Sequence, residues 1–305
     1  IRDNLLCCCK WYLIWSLRDL IDIARPSNTE LQKEFPQLSR TCKEYVGTCF
    51  RMLDSLNGQP LHIKVYNLLC HLHITYMEDL EGPIKLFKQF EELKLTINDG
   101  QLQNSLVSFL DKHVISNTEM SLHDRRAHVV QFVNLVHHNI LPTQCLAYVF
   151  KYYYAYNKEF GPIIESSLMS MAAAPDENVI LMMVVYTLSV IYENVITKRG
   201  AIDLRTEDAN NIKLLLKQFL AFKVFRSSNG KFQKLLYFSF NYAFKDESKY
   251  SFLYFVKYFI DLLDDEDKRE VLEFFKKKIP SGPAKNDAVL FVGNYLKQMK
   301  PSAAA

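Results

Sequence analysis

Apolar residues recur every three to four positions along most of the chain, the period of an amphipathic helix. Positions 3–24 carry Leu6, Cys9, Leu13, Leu17 and Leu20 on one stripe. That helix stops before Pro26, because the residue preceding a proline avoids the helical region. SNTE at 27–30 is a start signal, and the next helix runs to about residue 56, closing at Asn57-Gly58. Pro60 opens a third helix to residue 78, and a short one follows Gly82-Pro83 to about residue 90. DGQLQNSLVSFLDKHVI (99–115) is capped by Asp99 and keeps Leu102, Leu106, Phe109 and His113 on one stripe. Further helices are predicted over 121–139, 142–157, 161–172, 176–198, 206–225, 230–245, 249–263, 265–278 and 284–299.

Strand-like alternation never lasts more than a few residues. YSFLYF (250–255) comes nearest, and it continues into a helical stripe through Phe252, Phe255 and Phe259. The predicted fold is therefore all-α, an α-solenoid of stacked antiparallel helix pairs of the HEAT-like kind. Hairpins of roughly 40–47 residues would each lean on their neighbours. A single array over 1–299, followed by a short tail, is expected, with a compact two-lobed bundle as the alternative.

Composition sharpens this picture. Only 9 Gly and 10 Pro punctuate 305 residues, too few for the turns of a hairpin-rich β fold. A chain that starts at Ile1 and ends PSAAA reads as a fragment of something longer. The net charge of +3 argues against a dedicated nucleic-acid wrapper, since phosphate affinity grows with the number of paired Lys and Arg. The apolar run 178–192 falls short of the ~20 residues of a spanning helix, and no signal peptide is present, so a soluble intracellular protein is expected. Seven cysteines at irregular spacing do not form a disulfide framework. Cys7, Cys8 and Cys9 point about 100° apart on a helix and cannot converge on one metal.

Catalytic motifs are missing: no glycine-rich phosphate loop, no HExxH and no GxSxG. His71 and His73 lie two apart and do not share a helix face. His113, His123 and His128 become neighbours only if helices 99–115 and 121–139 pack together. No catalytic residue, metal or cofactor is predicted. DLLDDED (261–267) lacks the glycine and alternating oxygens of a calcium loop and reads as an acidic cap on a helix ending in Lys276, Lys277 and Lys278.

Two stretches invite a nucleic-acid reading. Residues 209–245 hold basic side chains and no acid, and Lys213, Lys217, Lys223, Lys231 and Lys234 are the candidate DNA contacts, auxiliary rather than central. Phe232, Tyr237 and Phe240 interleave with them, but at helical spacing they read as core. YVFKYYYAYNKEFGPII (148–164) packs five tyrosines beside few charges, which suits a seam between repeats better than a stacking platform.

LPTQCLAYVFKYYYAYNKEFGPIIESSL (141–168) resembles a helix pair in the C-terminal half of the cohesin SA/Scc3 (stromalin) family. There a helix of pattern I-F-K-x-Y-x-x-Y-Y-x-x-Y-G leads into G-x-I-I-x-x-x-L. VYNLLCHLHITY (65–76), LQNSLVSFLDKHVI (102–115), LHDRRAHVVQFVNLV (122–136) and residues 240–278 agree with it in the same order. The resemblance implies a non-catalytic HEAT-repeat scaffold in the nucleus that binds the kleisin subunit of cohesin, joins chromosomes and docks regulators. Carried onto this chain, the kleisin-facing surface comprises Lys64, Asn67, His71, Asp124, Arg125 and Arg126. Two positions depart from the family pattern: His71 stands where it has an acid in L-L-C-D, and Asp124 where it has a lysine in L-H-K-R-R. The segment between Ile115 and Leu122 is also shorter than the family's usual acidic insert. These changes imply adjusted contacts or a kleisin-replacing partner, as in a divergent meiotic paralogue.

Overall fold

The computed structural model describes residues 2–24, 28–55, 60–86, 88–172, 177–199, 207–221, 230–279 and 286–298. Among them every regular element is helical. The chain divides into two compact units, Ile1–Cys145 and Leu146–Ala305.

The first unit holds α1 (Arg2–Ala24), α2 (Asn28–Ser55), α3 (Pro60–Leu86), a 3₁₀ turn (Lys88–Leu93), α4 (Gly100–Phe109), a π turn (Leu110–Ile115) and α5 (Leu122–His137). Its side-chain contacts fix the direction of each helix. Trp11 meets His71 edge to face with ring centroids 5.7 Å apart, and Arg18 Nε donates to Asp79 at 2.9 Å, 61 residues on. Numbers rise together on both helices, so α1 and α3 run parallel. The Tyr66 hydroxyl donates to the His128 carbonyl at 2.9 Å, 62 residues on, and Glu78 lies 3.5 Å from His138. By the same logic α5 runs parallel to α3.

Helix α2 runs the opposite way to both its neighbours. Tyr45 donates to the Leu6 carbonyl at 3.0 Å, His62 Nε2 sits 2.6 Å from the Leu53 carbonyl, and the Cys42 thiol reaches the Tyr76 hydroxyl at 3.4 Å. Alternate parallel helices joined by antiparallel ones are the stacking of a helical-repeat fold. Leu13, Leu17, Tyr66, Leu69, Tyr76, Phe109 and Phe132 fill the space between the helices.

The second unit begins with a 3₁₀ turn (Thr143–Leu146, shared with the first) and α6 (Ala147–Phe150). It continues through α7 (Asn157–Ala172), α8 (Glu177–Arg199), α9 (Glu207–Ala221), α10 (Lys231–Ala243), a 3₁₀ turn (Glu247–Phe252), α11 (Leu253–Ile260), α12 (Asp265–Lys278) and α13 (Asp287–Lys297). Gln233 donates to Asp267 at 2.6 Å, 34 residues on, and Phe240 meets Phe275 at 4.9 Å, so α10 and α12 are parallel. Tyr254 against Phe291 and the Tyr295 hydroxyl on Asp261, again 34 residues apart, make α11 and α13 parallel. The repeat spacing is thus 61–62 residues in the first unit and 34 in the last hairpins. The sequence expectation of roughly 40–47 fits neither.

Four local expectations shift. Pro83 does not break α3, which continues to Leu86. Near the end of a helix a missing donor forfeits little, and exposed Gly82 leaves room for the ring. The stretch 142–157 is not one helix: it winds as a 3₁₀ turn, one α turn, and then turns from 151 to 156. Helix α7 starts at Asn157 and absorbs Gly161-Pro162, which had been read as a boundary. The 99–115 helix ends in a π turn that inserts one extra residue before Arg125 reaches its carbonyls.

Helix α8 (Glu177–Arg199) matches the helix expected over 176–198, and its apolar stretch extends beyond the 178–192 run. By length and composition its Asn178–Val195 segment would suffice to cross a membrane. In this fold Leu181, Val184 and Leu188 are fully buried, and α6, α7, α9 and α10 pack around it.

Candidate partner-binding surface

Lys64, Asn67 and His71 are spaced three and four apart on α3 and share one stripe. Lys64 and His71 are exposed; Asn67 is half-buried, and its side-chain oxygen has no hydrogen-bond partner. Burial, then the charge of Lys10, pushes the His71 imidazole below its ordinary pKa against an opposing pull from Glu78. His71 is therefore neutral at neutral pH. Its Nδ1 lies 3.3 Å from the Thr75 hydroxyl.

The α5 residues divide by role. Ser121 caps the helix, accepting from the Asp124 backbone N–H at 3.1 Å, while its hydroxyl donates to the Asp124 carboxylate at 2.7 Å. Asp124 is exposed but engaged in this cap. Arg125 is 7 % exposed. Its Nε donates to the Val114 carbonyl at 3.1 Å and its Nη2 to the Ile115 carbonyl. The guanidinium thus closes the electronegative end of the π turn and braces the helix junction from within. Arg126 is half-buried, and the α3–α5 register sets it level with Lys64. Sequence reasoning treated the two arginines as a pair; the structure turns one inward.

The largest feature of this face lay outside the predicted set. On α1, Trp11, Tyr12 and Trp15 are 41 %, 63 % and 57 % exposed, and Leu5 and Cys8 extend the same stripe. Leu5, Cys8, Tyr12 and Trp15 fall three, four and three apart, opposite the buried Leu13, Leu17 and Leu20. An α1 apolar on both faces was legible in the sequence, since a helix that is hydrophobic all round is either buried or a contact surface. Lys10, 6 % exposed, holds its ammonium 4.4 Å from the Trp11 ring centroid. Arg18 lies over Trp15 at 5.6 Å while bonded to Asp79.

The histidines do not gather as a catalytic set. His113 meets His62 edge to face, centroids 4.5 Å apart, beside Phe109, whereas His128 packs on Tyr66. His62 was not anticipated as a neighbour, because α3 had not been placed against the π turn. Among the described residues no three His, Cys, Asp or Glu side chains converge to hold a metal.

In the second unit the candidate DNA lysines scatter. Lys217 and Lys234 are exposed, Lys213 is half-buried, Lys231 is buried and Lys223 lies outside the described residues. Phe240 is core and Tyr237 packs on Phe274 at 4.2 Å. In the tyrosine run, Tyr153 is buried, stacks on Phe219 and donates to Glu165 at 2.7 Å. Lys151 lies over Tyr152 at 4.8 Å.

No family model matches the chain. It is similar to cohesin subunit SA-1 of Xenopus laevis, 23 % identical over 232 residues, which take in 70 % of this chain and 17 % of that protein. The chain thus spans under a fifth of that relative's length. The similarity supports a relationship to the SA type of cohesin subunit, in keeping with the all-α repeat fold.

Proposed function

We propose that this chain is a non-enzymatic, chromosome-associated nuclear scaffold: the C-terminal helical-repeat part of an SA/Scc3-like cohesin subunit. It holds an extended segment of a kleisin, or of a partner that replaces one, and so supports association of sister chromatids or homologues. The observation that carries this reading is the layer of parallel helices α1, α3 and α5. In that layer Lys64 and His71 share a stripe of α3, and His71 meets the exposed Trp11 of α1. Rings flanked by polar and charged groups are the composition of protein-contact hot spots. With His71 neutral and Asp124 held in a cap, the charge pattern differs from the family's, which favours a divergent, meiosis-type paralogue with adjusted contacts.

The test is to isolate the native complex and identify peptides cross-linked to residues 60–140. A kleisin segment there supports the ordinary assignment, and a different protein segment supports a reassigned scaffold. If no protein segment is found there, and Lys64→Glu with Arg126→Glu leaves complex assembly intact, the reading fails. DNA contact through Lys213 and Lys217 is the competing account. It demands binding that collapses with salt and is lost in Lys213→Glu, Lys217→Glu.

A further inference from the structure

Two thiols face each other inside the first hairpin. On α1, Cys9, Leu13, Ser16 and Leu20 fall four, three and four apart, and on α2 Leu38, Cys42, Tyr45 and Cys49 repeat that spacing. All are buried except Cys9 and Ser16, which are half-buried. The helices run antiparallel, and Leu20 lines one small cavity with Leu38, which sets the register. That register pairs Leu13 with Tyr45 and, three turns from the cavity, brings Cys9 level with Cys49. The Tyr45 hydroxyl, donating to the Leu6 carbonyl, ties this end of the seam together. A thiolate at Cys9 raises the pKa of both Cys49 and Tyr45, so the three groups share one electrostatic neighbourhood. The hairpin's other thiols point elsewhere. Cys42 reaches Tyr76 on α3, and Cys7, whose influence on Tyr45 is smaller, lies beside Lys10. Cys8 is exposed on the outer face.

We propose that Cys9 and Cys49 are a modification site: they form a reversible disulfide across the α1–α2 seam, with hydrogen peroxide as the oxidant. Their exposure assigns the roles. Half-buried Cys9 meets the oxidant, whereas Cys49 is fully buried and its thiol is pushed up to about 11, chiefly by that burial, so it acts second. The Cys9 thiolate attacks one peroxide oxygen, the O–O bond breaks, and the departing hydroxide takes a proton and leaves as water. Cys9 is then a sulfenic acid. The Cys49 sulfur attacks the Cys9 sulfur, the S–O bond breaks, and the leaving hydroxide takes the Cys49 proton as a second water. Two electrons pass from the two sulfurs to the peroxide, and a thiol reductant returns them. The bond pins α1 to α2 and restrains opening of the hairpin. This goes beyond the scaffold reading and does not depend on it.

The experiment treats the whole folded chain with hydrogen peroxide, blocks the remaining thiols and maps tryptic peptides without reduction. The expected product joins peptide 3–10 to peptide 44–51 and is reversed by dithiothreitol. It should exceed any other pairing by roughly tenfold, because the fold holds these two sulfurs together. In urea that preference should vanish into mixed pairings with the other cysteines. Peptide 3–10 carries Cys7, Cys8 and Cys9, so variants assign the sulfur. Cys7→Ser with Cys8→Ser should keep the link, and Cys9→Ser should abolish it with the circular dichroism unchanged. The proposal is overturned if the folded chain gives no link between the two peptides, or gives other pairings in equal amount. It is equally overturned if Cys9→Ser keeps the link or if the Cys7→Ser, Cys8→Ser chain loses it.

Discussion

The two units are built from the same helical pairs, yet they treat their polar side chains differently. In the second unit side-chain bonds link the seams, although Gln218 Oε1 is left without a donor. Gln233 donates to Asp267 and Glu270, Glu193 accepts from Tyr242 and Lys249, and Tyr295 donates to Asp261. Its largest rings, Phe219, Phe240 and Phe252, face inward. In the first unit the buried Lys10 ammonium lies over the Trp11 ring, Asn67 Oδ1 on α3 has no donor, and Trp11 and Trp15 face outward.

The largest test of the contrast lies in the second unit's core. Phe240 is fully buried among Phe274, Phe275 and Phe244, so Phe240→Ala should cost about 4 kcal/mol in urea unfolding. Partner binding at the first unit should persist in the fraction that remains folded. If that binding is lost together with the α10–α12 seam, the two units do not divide their roles as described.

Acidification should act the other way round, because all 8 histidines lie between residues 62 and 138. His73 is fully buried against the Leu69 carbonyl at 2.8 Å, and burial pushes its imidazole down to about 4 from 6.5. His62 and His113 are lowered too, chiefly by burial. A depressed folded pKa means the unfolded chain takes up the proton first. Stability is therefore whole above pH 6.5 and is lost as the pH falls from there towards 4, by about 3 kcal/mol for His73. Hydrogen exchange at pH 5 should rise in the first unit well before the second, and His73→Gln should flatten that difference. Equal loosening of both units would refute it.

Arg125→Ala should be next in size, at about 2 kcal/mol, because it strips two backbone carbonyls at the π turn of their donor. Faster exchange confined to residues 110–126 is the expected readout, with weaker partner binding only as a consequence. If binding falls while stability holds, Arg125 contacts the partner directly. Arg18→Ala should be smallest. The Arg18–Asp79 pair is partly exposed, so its loss should change stability by about 0.5 kcal/mol. A larger change would mean that the seam depends on this bridge.

Much of this architecture was legible in the sequence, for physical reasons that also mark where it was not. Asp99 and Asp264 cap the helices their positions announced, because a short acceptor before an apolar stripe meets the first free N–H groups. Lys276, Lys277 and Lys278 end α12 as its dipole favours. Pro83 and Gly161-Pro162 misled because a proline within a turn or two of a helix end is tolerated when tertiary packing holds the rest. The tyrosine stretch breaks into turns because Tyr153 must reach Phe219 and Glu165 together, a constraint set by distant residues. The candidate surface was half legible. Periodicity placed Lys64 and His71 correctly on one face, but no local pattern distinguishes an inward Arg125 from an outward Arg126 at a π turn. Lys10 stands out only once α3 is packed beside it.

The central claim, that the first unit carries the partner, is tested most directly by hydrogen exchange on the chain alone and within its native complex. The account predicts added protection at residues 5–18 and 64–78, with residues 207–243 unchanged. Protection confined to 207–243, with α1 and α3 exchanging as in the free chain, would contradict it.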